Sequence, residues 1–139
     1  MTSKYQKIAI LHDYQNVALK FGDWTLIEKH TSITVFNDTL HSKDDLAKRL
    51  EPFTIICTMR ERTKFIAYLL KSLPNLKPLT TTGMRNLSID IRAANTQGVT
   101  VSGTDGAGAV TVEHTCALIL GLTRHIAEED RNAKASGVW

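Results

Sequence analysis

The sequence predicts an α/β fold in which about five parallel strands form one sheet with helices on both of its faces. Two observations carry this. Short apolar runs of β type alternate five times with segments of helical character, a repeated order of strand and then helix. The strand runs are also apolar without alternation, as in strands buried on both sides.

Residues 7–13, "KIAILHD", give the first strand, and "WTLIEKH", with apolar residues three and four apart, gives a helix after it. "SITVFN" is the second strand. "SKDDLAKRLEP" is its helix, with Ser42 as N-cap and Pro52 beyond the end. "FTIICT" and "TKFIAYLLKSLPN" form the third pair, the helix stopping before Pro74. "LKPLTTTG" is the fourth strand and "LSIDIRAANTQG" a short helix closed by Gly98; "VTVSG" is the fifth strand. The remaining apolar pattern, "VTVEHTCALILGLTRHIAEEDRNAKA", predicts one long helix that includes residues 110–131.

Composition narrows the function classes. With 139 residues, 42% hydrophobic and 22% charged, the chain is long enough for a single globular core. Its net charge of +3 comes from scattered basic residues, which argues against a nucleic-acid footprint. "IAIL" is too short for a secretory signal, and "CALILGL" falls short of the roughly 18 apolar residues of a membrane span. A soluble, cytoplasmic protein without nucleic-acid or membrane partners is expected. Cys57 and Cys116 read as buried small hydrophobes, and no cysteine or histidine spacing suggests a metal site.

In an open parallel sheet, ligands bind beyond the carboxyl ends of the strands. The residues to inspect are therefore His12, Asp13 and Tyr14, then Asn37 and Asp38, then "TMRERT" at 58–63, "TGMRN" at 82–86 and the loop at 103–108. Arg60, Arg62 and Arg85 come from two of these loops, and a guanidinium suits a planar carboxylate. Arg60 and Arg85 read equally well as solvated loop charges, and Arg62 reads better as one. Gly83 reads as a turn residue, His12 and Asp13 as a strand end with its cap, and Glu113 as a first-turn acid facing a helix dipole.

From about Leu73 onward the residues carry a family pattern. "TTGMRNLSIDI", "GVTVSGT" and "TVEHTCALILGLTRH" followed by "SGVW" resemble the substrate-binding half of the D-isomer-specific 2-hydroxyacid dehydrogenases. "MRERT" is similar to that family's "RSxT" loop, with Arg60 and Thr63 on the matching positions. The resemblance implies a flavodoxin-like substrate domain over residues 1–105 and an interdomain helix over residues 106–139. It implies hydride transfer between NAD or NADP and a small 2-hydroxy or 2-keto acid. Arg60, Thr63, Thr82, Gly83, Met84, Arg85 and Asn86 would line the substrate, with Gly83 letting backbone N–H groups approach its carboxylate. Thr111 and Val112 would approach the nicotinamide side of the cleft.

The family continues into a dinucleotide-binding domain with a G-x-G-x-x-G turn, a catalytic arginine, a glutamate and a proton-donating histidine. "GTDGAGAV" lacks the spacing of such a turn. The expectation is a chain truncated before that domain, with no catalytic residue of its own, no tight cofactor binding and no turnover. A truncated, non-catalytic binding or oligomerising module is the alternative, and self-association through the 110–131 helix is expected. A phosphoacceptor receiver would want an aspartate where "CTMR" stands, and a flavodoxin a hydroxyl-rich loop where "HDYQN" stands.

Overall fold

The computed structural model describes residues 6–106 and 108–137. It divides into two units, Met1–Gly106 and Ala107–Trp139. The first holds a sheet of five parallel strands in the order β2-β1-β3-β4-β5, the flavodoxin-like arrangement. These are β1 (Gln6–Leu11), β2 (Thr31–Phe36), β3 (Ile55–Thr58), β4 (Pro78–Thr81) and β5 (Thr100–Gly103). Between them lie α1 (Thr25–Glu28), α2 (Lys43–Leu50), α3 (Ala67–Lys71) and α4 (Ile91–Thr96). The crossover from β1 to β2 runs one way across the sheet and the later ones run the other. Right-handed crossovers therefore put α1 on the face opposite α2, α3 and α4.

The register sorts the strand residues into two faces. Ala9 aligns with Ile56, and Ile56 with Leu79, on the face that carries the core. There they pack with Leu50 of α2, Leu69 and Leu70 of α3 and Ala94 of α4. Ile56 and Leu79 are fully buried, and truncating either to alanine would cost about 2–5 kcal/mol. On the other face Ile8 and Ile10 are buried, but their register partners Ile33, Val35, Ile55 and Cys57 are only half-buried. One turn of α1 covers less than a full helix would. Cys57, expected in the core, lies on this less covered face, and its surroundings still push its thiol pKa up by desolvation.

Local signals explain the helix ends. Ser42 Oγ accepts from Asp45 N and Asp90 Oδ1 from Ala93 N, each capping its helix. Gly98 ends α4 with φ 71°. α3 is shorter than its apolar pattern, because residues 63–66 are held extended. Phe65 bridges Ile89 in parallel, donating its N–H to Ser88 O and accepting from Asp90 N.

The second unit corrects two expectations. The single helix predicted over 110–131 is two, α5 (Val110–Thr123) and α6 (Ile126–Ser136). His125 stands between them in left-handed backbone with φ 53°, which no helix continues through. Thr123 Oγ1 turns back to Ile119 O at 2.9 Å. Cys116, expected to be buried, is exposed on α5, whose apolar residues are spread around the helix. Val138 and Trp139 of the closing "SGVW" lie outside the described residues. No helix among the described residues is long and apolar enough to cross a membrane.

Candidate functional site

The rim at the carboxyl ends of β3, β4 and β5 is built by three loops that hold one another. After β3, Arg60 takes left-handed backbone with φ 52° and its N–H donates to Thr82 Oγ1 at 3.0 Å. After β4, Gly83 takes φ 89°. Its N–H donates to Thr104 Oγ1 at 3.0 Å, tying it to the loop after β5. Thr104 N in turn donates to Thr81 O. Gly103 completes the contact: a Cβ there would lie 2.6 Å from Gly83 O and 3.1 Å from Met84 Cα.

Asn86 is the clamp between the first two loops. Its Nδ2 donates to Arg60 O at 2.6 Å and to Thr81 Oγ1 at 2.8 Å, while Oδ1 accepts from Ser88 N. Both amide hydrogens are therefore committed to the protein. Glu61 adds two links, accepting Leu87 N on its carboxylate and Ser88 Oγ on its carbonyl.

What this bracing leaves over is a short run of donors. The backbone N–H groups of Met84, Arg85 and Asn86 have no acceptor among the described residues. Successive unpaired N–H groups in a turn make an anion-binding concavity. Arg85 is exposed, with no ion pair among the described residues. An Arg60 Nη1 lies 3.6 Å from the place a Gly83 Cβ would occupy, so that guanidinium stands over the turn. Met84 and Leu87 are exposed and give the rim an apolar border.

Thr63 is turned inward from the rim, toward His12. It is buried, and its hydroxyl is 2.6 Å from His12 Nε2. His12 itself is buried with φ 62°, and Thr39 Oγ1 lies 3.3 Å from Nδ1. Burial and the nearby Arg62 charge lower the His12 pKa, with Asp38 opposing them. Arg62 stacks on Tyr14 at 4.6 Å. Asp13 is a cap: Oδ1 accepts Val17 N at 3.1 Å and Oδ2 accepts Ala18 N at 2.9 Å. Those bonds hold its carboxyl pKa below the usual range.

Thr111 and Val112 belong to the second unit, exposed on the first turn of α5. No group of three or more candidate metal ligands occurs among the described residues. Sequence reasoning placed the Gly83 turn and singled out His12, Thr63 and the 103–108 loop, but not the Gly83–Thr104 and His12–Thr63 bonds, which span 21 and 51 residues.

The sheet order defines an α/β domain with five parallel strands, and the comparisons agree with that class. The D-isomer specific 2-hydroxyacid dehydrogenase catalytic domain matches residues 8–132, and the chain belongs to that family. It is 32% identical over 99 residues to the D-3-phosphoglycerate dehydrogenase of Archaeoglobus fulgidus, covering 70% of this chain and 18% of that protein. Against the hydroxypyruvate reductase of Thermotoga maritima the figures are 34% over 98 residues, 70% and 31%. A crystal structure of phosphoglycerate oxidoreductase from Vibrio cholerae superposes with a TM-score of 0.77 at 36% identity, covering 94% of this chain and 41% of that one. The chain thus spans less than a third of those two curated relatives.

Proposed function

We propose that the turn at residues 82–86 binds the carboxylate of a small 2-hydroxy or 2-keto acid, as the substrate-binding part of an NAD(P)-dependent oxidoreductase. The observation that carries this reading is the run of three unpaired N–H groups at Met84, Arg85 and Asn86, held in place by Gly83, Thr104 and the Asn86 clamp. A carboxylate accepts from such donors at short distance, and Arg85 and Arg60 add charge. Thr82 and Asn86 act by bracing the turn, and Thr63 by tying the neighbouring loop to His12.

Binding and orienting the acid is the whole contribution of these residues. The hydride and the proton come from groups outside the turn, and the 139 residues by themselves are expected neither to hold NAD or NADP tightly nor to turn over a keto acid. Thr111 and Val112 would border a nicotinamide supplied by another domain.

The test is direct binding. Titration of the isotopically labelled chain with pyruvate, hydroxypyruvate and the inert analogue oxalate should move the amide resonances of residues 84–86. Arg85→Ala should weaken binding roughly 10–150-fold, the equivalent of about 1.5–3 kcal/mol for a charge-assisted bond. Gly83→Val should do worse, because φ 89° is closed to a β-branched residue. Amides of 84–86 that stay fixed while all three acids are added would remove the reading.

A further inference from the structure

A cavity of about 670 Å³ opens away from the Gly83 turn, between the segments that follow β2 and β3. Its origin is the extended stretch at 63–66. The bridge of Phe65 to Ile89 keeps α3 from starting before Ala67, and side chains alternate along the stretch. Thr63 and Phe65 are buried, while Lys64 and Ile66 are exposed and line the cavity. Space is left where an earlier helical turn would have packed on α2.

The walls are chemically divided. Leu40, Leu46, Ile66 and Leu69 supply an apolar lining, with Tyr68 beside them. Ile66 and Tyr68 leave 40% and 50% of their surfaces accessible, so apolar area stands open. The polar part holds the cations Lys43, Arg62 and Lys64, with His41, Thr39 and Thr63 beside them; Arg62 also stacks on Tyr14 and donates to His12 O at 3.5 Å. No aspartate or glutamate lines the cavity. The adjacent carboxylate, Asp44, already accepts the Tyr68 hydroxyl at 2.7 Å. Lys43, Arg62 and Lys64 have no ion pair among the described residues. The cavity also lies near the point where strand order reverses, between β1 and β3, with the His12–Thr63 bond joining the ends of those strands.

From this division we infer a second ligand site, for an organic anion with an apolar body. A carboxylate or phosphate head would be met by Lys43, Lys64 and Arg62, and an alkyl or aryl body by Leu46, Ile66 and Tyr68. Neither part alone matches both walls. The volume is that of a small-molecule pocket. The site shares no residue with the run of free N–H groups at 84–86, so it stands or falls apart from the proposed substrate turn.

Octanoate is the probe, with acetate as head alone and 1-octanol as body alone. Octanoate should perturb amides within 39–46 and 62–69, and acetate and octanol should each bind at least tenfold more weakly. Lys43→Ala with Lys64→Ala should weaken octanoate at least fivefold. Ile66→Glu should abolish binding while the amide spectrum outside 39–46 and 62–69 stays that of the folded wild type, and Arg85→Ala should leave binding unchanged. The inference is overturned if octanol binds as well as octanoate, if the lysine pair makes no difference, or if the perturbed amides are confined to α5.

Discussion

His12 combines a left-handed backbone angle, near-complete burial and a hydrogen-bond partner at each ring nitrogen. Such a residue reports on pH. Its folded pKa is lowered from 6.5 by burial, with the Arg62 charge reinforcing the shift and Asp38 opposing it. Below about pH 6.5 the unfolded chain takes up a proton that the folded chain resists, so this residue's contribution is complete above that pH and is lost as pH falls through the lowered value. His12→Asn keeps a residue that tolerates left-handed backbone but removes the titration and the Thr63 bond. The stability gap between wild type and His12→Asn, measured by urea unfolding, should be widest near pH 7.5 and narrow toward pH 5. A gap independent of pH over that range would show that His12 does not carry the proton. At this scale the sequence located His12 as a strand-end residue and no more. Its role depends on Thr39 and Thr63, which only the fold brings to it.

The elements were readable where the signal is local. Ser42 and Gly98 mark their helix ends by cap chemistry, and unalternating apolar runs mark the parallel strands. They were unreadable where a distant contact overrides periodicity. Nothing in "TKFIAYLL" announces that Phe65 pairs with Ile89, and no glycine or proline marks the break at His125. Gly103 is another such case, because its lack of a side chain serves a neighbour. A Cβ 2.6 Å from Gly83 O cannot be accommodated without moving the backbone of the Gly83 turn. Gly103→Ala should therefore destabilise the first unit by about 1–3 kcal/mol, as overpacking does, and should also weaken oxalate binding. Chemical unfolding and the oxalate titration measure the two effects. An alanine variant with wild-type stability and wild-type binding would mean that β5 does not position the turn.

For the molecule as a whole, α5 carries the largest run of exposed apolar side chains among the described residues. Leu118, Ile119, Leu120 and Leu122 are each more than half exposed, and Val112 and Ile126 extend the apolar surface to either side. Isolated exposed leucines are ordinary, but this many large apolar side chains left open on one helix is uncommon in a monomer. The sequence supplied the apolar run and with it the expectation of self-association through this helix. Removing that area from water gains about 25 cal/mol per Å², a strong incentive for two copies to pair. The 139-residue chain is therefore expected to self-associate, with an apparent mass in sedimentation equilibrium that rises with concentration. Leu118 and Leu122 are four residues apart and share one side of the helix. Replacing both by glutamate puts charge into any interface formed there and should restore a monomer without changing the fold of the first unit. Wild-type protein that remains a monodisperse monomer at high concentration, or a double variant that associates as before, would show that α5 is not the surface that joins the copies.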